Sequence, residues 1–230
     1  MSELELSRAC REQRWEEVRE MITENPQLVW TARGSYGCTP AYWAAHYGDV
    51  EMLQHMLAVI LRQSLQATSQ GDEEEHQQRR QMLRDAFERG GDNGDTPTHE
   101  AAFYGHGQCL AFLVEHAPSG AAVLEVKNKE GWIPAHYAAF NGVVDALDFI
   151  VRNAPSGVAV LDVKDNKGKT PLDRASKNVK EYFTPQKIME IGFERELELI
   201  SNEFEPDSLP SLMFMIIRQN IEIKLYQLSR

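Results

Sequence analysis

Apolar residues along this chain recur at three- and four-residue intervals, the spacing that lines one face of an α-helix. Met52, Leu53, Met56, Leu57, Ile60, Leu61 and Leu65 form the longest such series. Shorter ones fall at Leu110, Leu113 and Val114, and again at Leu147, Ile150 and Val151. Met82, Leu83, Ala86 and Phe87 give an apolar face to the segment Glu73–Arg89. Its acids gather at the N-terminal end, where the helix macrodipole favours them. Segments of about two turns precede two of the series, Pro97–Gly105 and Pro134–Gly142. The proline suits a first helical turn, and the glycine suits the left-handed residue that ends one. Pro118 and Pro155 stop the longer helices. Further on, Pro185–Phe204 and Ser211–Arg230 read as two more helices broken by "PDSLP".

The pattern is periodic. Aligning Gly94–Glu130 with Gly131–Lys167 gives a repeat of 37 residues with 19 identical positions. Both copies hold Pro, His, Ala-Ala-Phe and Gly at matching places, followed by "APSG" and "AVL-V". Fixed self-similarity of this length marks stacked units that cannot bury their apolar faces alone. The step from Thr39 to Thr96 is 57 residues, so about 20 extra residues interrupt the series there. The surplus predicts a helical hairpin, at about residues 58–91, projecting from the stack.

Composition narrows the class. The formal net charge of −11 argues against a phosphate-driven nucleic-acid binder, which needs a basic face. Three widely spaced cysteines, Cys10, Cys38 and Cys109, fit a reducing compartment better than a disulfide framework. No basic-then-apolar leader opens the chain, and the apolar run Leu212–Ile217 is too short to span a bilayer. The expectation is a cytoplasmic, monomeric protein.

"GDTPTHEAAFYGH" and "GKTPLDRA" resemble the ankyrin repeat, a turn followed by T-P-L-H-x-A. "GCTPAYWAAHYG" has Tyr42 at the histidine position, "GWIPAHYAAFNG" has Ile133 for threonine, and "GKTPLDRASKN" has Asp173 for histidine. Arg8–Ile22 resembles only the second half of a repeat. The resemblance implies an all-α ankyrin-repeat solenoid over residues 1–183, with about five repeats, the first and last atypical. Residues 184–230 are expected to form a helical C-terminal cap or extension. The repeats exceed the usual length at "APSG-AVL", where a longer loop is expected. These longer, near-identical units also resemble ankyrin effectors of intracellular bacteria, which would place the chain in a host cytosol.

In an ankyrin stack the hairpin tips and first helices line a concave face. The resemblance therefore assigns partner binding to His46, Tyr47, Phe103, Tyr104, Phe140 and Asn141, the pairs before each first-helix glycine. It adds Tyr36, Asp92, Asn93, Asp95, Glu130 and Trp132 at the tips, with the acids on a rim that favours a basic partner. His99 and His136 are expected to bond nearby backbone. No G-x-S-x-G, Walker loop or H-E-x-x-H is present, and neither His nor Cys shows ligand spacing. The expected function is a non-enzymatic module that binds a protein or peptide, with no cofactor or metal. The alternative is an effector or adaptor fragment whose catalytic domain lies outside the chain.

Overall fold

The computed structural model describes residues 3–66 and 72–203. Every regular element among them is helical. In chain order these are α1 (Glu3–Arg11), α2 (Trp15–Glu24), α3 (Leu28–Thr31), α4 (Pro40–Tyr47), α5 (Val50–Gln66) and α6 (Asp72–Phe87). Then follow α7 (Pro97–Tyr104), α8 (Gly107–His116), α9 (Pro134–Asn141), α10 (Val144–Asn153), α11 (Pro171–Arg174), α12 (Lys177–Tyr182) and α13 (Pro185–Glu203). No helix among the described residues is long and apolar enough to cross a membrane.

Two rows form. Helices α1, α4, α7, α9 and α11 stack in an inner row, and α2, α5, α8, α10 and α12 in an outer one. The inner row is tight because its buried faces carry alanine pairs, Ala44-Ala45, Ala101-Ala102 and Ala138-Ala139, all fully buried. The outer row supplies the bulk of the core through Met52, Met56 and Ile60, then Leu110 and Leu113, then Leu147 and Ile150.

The inner helices end alike. Asp49 N–H bonds the carbonyl of Ala44, His106 that of Ala101 and Val143 that of Ala138, each after a left-handed glycine at 48, 105 or 142. These are Schellman turns. The same bond closes α1, from Arg14 N–H to the Ala9 carbonyl, but its left-handed residue is Gln13, at φ 57°. The N-terminal unit is thus a complete helix pair, not the half repeat its sequence resembled; without a Thr-Pro or a glycine its first helix carries no signature. A side chain in the left-handed region costs about 1–2 kcal/mol, against about 0.5–1 kcal/mol for the extra freedom glycine gives the unfolded chain. Gln13→Gly is therefore expected to raise the unfolding free energy by about 0.5–1 kcal/mol, measured as a higher urea midpoint at constant slope.

Between helix pairs the chain makes hairpin tips. The tips are joined in series: Asp92 N–H donates to the Tyr36 carbonyl (2.7 Å), Lys129 to that of Asn93 and Asn166 to that of Glu130 (3.0 Å each). The "APSG-AVL" segments are ordered 3-10 turns, Gly120–Glu125 and Gly157–Asp162, rather than plain loops. They bury Val123, Leu124, Val160 and Leu161. Each serine ties its turn to the preceding unit. Ser119 donates its N–H and hydroxyl to the Glu88 carboxylate (2.6 and 3.0 Å), and Ser156 does the same to Glu125 (2.7 and 2.6 Å).

The interruption differs from expectation. Helix α5 does run long, but α6 does not project freely. It packs back on α3, α4 and α5 and buries Met82, Ala86 and Phe87. An Arg33 guanidinium N–H reaches the Asp85 carbonyl at 3.4 Å, pinning α6 to the first unit. At the other end α13 covers α10, with Ile191 fully buried and Arg195 donating to the carbonyls of Val151 and Arg152. The expected helix Ser211–Arg230 lies outside the described residues.

Candidate protein-binding face

The inner row presents a continuous belt of rings. Tyr47 meets Trp15 (6.2 Å) and His46 (4.6 Å), and His46 meets Tyr104 (4.4 Å). Tyr104 meets Phe103 (4.9 Å), Phe103 meets Tyr137 (5.9 Å), Tyr137 meets Trp132 (5.1 Å) and Trp132 meets Phe140 (5.7 Å). The Arg174 guanidinium closes the far end, 4.7 Å over the Trp132 ring. Edge-to-face contacts and a cation over indole each add to plain burial, so the belt is held in place by its own members.

Exposure divides the expected site residues. Tyr104 is 44% and Phe140 54% exposed, and Tyr36 at its tip is 71% exposed. Asp92, Asn93, Glu130 and Asn141 are also exposed. Asn141 still anchors backbone, donating to the Phe103 carbonyl at 2.6 Å. Phe103, Trp132, His46 and Tyr47 are half-buried. Tyr47 is committed to the preceding unit, its hydroxyl donating to the Arg11 carbonyl at 2.6 Å.

Asp95 is misplaced by the sequence reading. Expected on the rim, it is 3% exposed. Its Oδ1 accepts from Asn128 Nδ2 (2.7 Å) and from the Tyr137 hydroxyl (2.8 Å), and Oδ2 accepts from Asn93. It is a buried bracket between two tips. Asp165 serves the last tip in the same manner, accepting from the N–H groups of Lys167 and Lys169 and from Arg174. Burial alone would raise its pKa, but the N–H of Lys169, the Arg174 guanidinium and the N–H of Lys167 hold it at about 2.

The structure adds residues that sequence reasoning passed over. Glu100 is 8% exposed on the inner face. It accepts from the Tyr42 hydroxyl (2.8 Å) and pairs with His46 Nδ1 (2.8 Å). Burial, then this carboxylate, pushes the pKa values of Tyr42 and Tyr104 up. Glu100 occupies the one free position of T-P-L-H-x-A, shared with Trp43, Tyr137 and Arg174. That column faces the belt throughout, so the motif itself held the signal.

His99 and His136 bond backbone as the resemblance implied. Nδ1 of each accepts from the N–H of Thr96 or Ile133 (3.1 and 3.2 Å), and Nε2 bonds the carbonyl of Trp132 or Lys169 in the next tip (3.1 Å each). The three cysteines are free and buried, and burial pushes Cys10 and Cys109 up to about 12 and Cys38 to about 11. Thiols held so high are poor nucleophiles. No group of His, Cys, Asp and Glu among the described residues is arranged to hold a metal ion.

Stacked helix pairs, serially bonded tips and an inner row of rings define a repeat scaffold that presents a surface. Residues 66–158 match the family described as ankyrin repeats (3 copies), and the match supports an ankyrin-repeat fold for this part of the chain. No curated protein matches it. Ankyrin repeats are protein–protein interaction modules in general, and the family is typically non-catalytic.

Proposed function

We propose that the inner face binds a protein or peptide partner through Tyr104 and Phe140, flanked by the half-buried Phe103 and Trp132. One observation carries this: two large rings stand open to solvent while their neighbours hold them in fixed orientations. Aromatic groups pre-organised in this way lose little entropy on binding and serve as interface anchors. Exposed Asp92 and Glu130 on the tips favour a basic partner, as does the net charge of −11. In this reading the chain is a non-catalytic, monomeric module of the cytoplasm, or of a host cytoplasm if it is a secreted effector, where its three reduced thiols persist.

Peptides selected on the wild-type protein from a displayed random library provide the test. Tyr104→Ala and Phe140→Ala are each expected to weaken the selected peptides by about tenfold or more, with thermal unfolding shifted by no more than a degree or two. Unchanged affinity, or a large loss of stability, would overturn the assignment of these rings.

A further inference from the structure

A second feature lies on the outer row. Between α2 and α5 a cleft of about 300 Å³ is lined by Ile22, Thr23, Pro26, His55, Val59 and Arg62. Arg19 stands one turn before Thr23 on α2 and interacts electrostatically with His55. His55 Nε2 and Arg19 Nε are both buried without a hydrogen-bond partner. Orphaned buried nitrogens are rare, because each forfeits its bond to water. Arg19 reaches Glu16 and Glu51 only at 3.9 Å each, so its charge is loosely compensated. Arg62 enters no ion pair among the described residues. His55 and Arg62 thus stand beside an apolar wall, with Arg19 adding to the positive field at His55, on a protein whose net charge is −11.

We propose that this cleft binds a small organic anion, its oxyanion held by Arg62 and His55 and its apolar body lying against Ile22, Pro26 and Val59, with Arg19 adding positive charge near His55. An oxyanion gives the orphaned nitrogen in the cleft wall a partner: His55 Nε2 donates to it once protonated. His55 is pushed below its ordinary pKa by burial, then by Arg19 and Arg62, with Glu16 opposing. A bound anion offsets the two arginine contributions. Binding therefore tightens as pH falls and His55 takes up its proton.

The probe is 3-methylbutanoate, followed by amide chemical shifts. Saturable changes confined to Thr23, His55, Ala58 and Arg62 are expected, tighter at pH 5.5 than at pH 7.5. Arg62→Gln, on an exposed side chain, is expected to fold normally and to weaken binding at least tenfold. Equal binding of 3-methylbutanol, or a wild-type response from Arg62→Gln, would overturn the proposal. Inorganic phosphate in competition separates the sources. If it displaces the probe, the head group recognised is any oxyanion; if it does not, the site is a carboxylate site.

Discussion

Replacing Asp95 with alanine is expected to lower the unfolding free energy by about 2–4 kcal/mol, whereas Asp92→Ala changes it by less than about 0.5 kcal/mol. The two acids are three residues apart in one tip, and only their surroundings separate them. Asp95 is buried and accepts from Asn128 and Tyr137 of the next unit. Its loss leaves the Tyr137 hydroxyl without its acceptor and Asn128 Nδ2 with only that hydroxyl, at 3.2 Å, and an unsatisfied donor in such a water-poor site costs about 1–3 kcal/mol. Asp92 has an exposed side chain, and its structural contact, to the Tyr36 carbonyl, is made by its backbone N–H, which alanine keeps. Urea denaturation of both variants checks this; comparable midpoints would show that Asp95 is not the bracket the structure places there.

Acid is expected to unfold the protein earlier than its carboxylates alone require. His99 and His136 are fully buried, and burial pushes both pKa values below the ordinary histidine range. The unfolded chain therefore takes up protons near pH 6.5 while the folded chain refuses them. The stability these neutral rings provide is present above about pH 6.5 and is lost as pH falls below it. With both histidines the slope reaches about 2.7 kcal/mol per pH unit, twice the value for one proton. His55, also depressed, adds in the same direction. Asp165, held at about 2, extends the loss further, its contribution being present above about pH 4 and gone below pH 2. Unfolding free energies at pH 7.5, 6.5 and 5.5 measure the slope. The double variant His99→Gln, His136→Gln is expected to flatten most of it, and a wild-type profile that is flat over this range would refute the argument.

How far the chain could be read beforehand follows from which physical signals are local. Thr-Pro, Ala-Ala and the closing glycine each answer to a local need, namely a cap, a close helix approach and a left-handed residue. The inner helices of the three good copies were legible for that reason. Helix α1 ends in the same geometry with Gln13 in place of glycine, so its equivalence shows only in the hydrogen bond from Arg14 to Ala9. Asp95 could not be placed from sequence, because its burial depends on Asn128 and Tyr137, 33 and 42 residues away. Exposure on the candidate face was half legible. Tyr104 and Phe140 stand open, whereas Tyr47 turns aside to the Arg11 carbonyl. The bond from Tyr42 to Glu100 arises from a substitution at the motif's histidine position, the length of Tyr42 letting its hydroxyl cross to the next unit, and His46, one turn on, adds a second contact to the same carboxylate.

The tip bonds link residues 36 apart between the later units, yet the first of them links Tyr36 to Asp92, 56 apart, at 2.7 Å. The surplus is absorbed wholly on the outside, between α5 and α6, and the inner surface keeps its pitch across the splice. Chain length and tip spacing are thus decoupled through α5 and α6. A reporter or sensor segment grafted onto the exposed side of α6 leaves intact the backbone bond by which successive tips keep step.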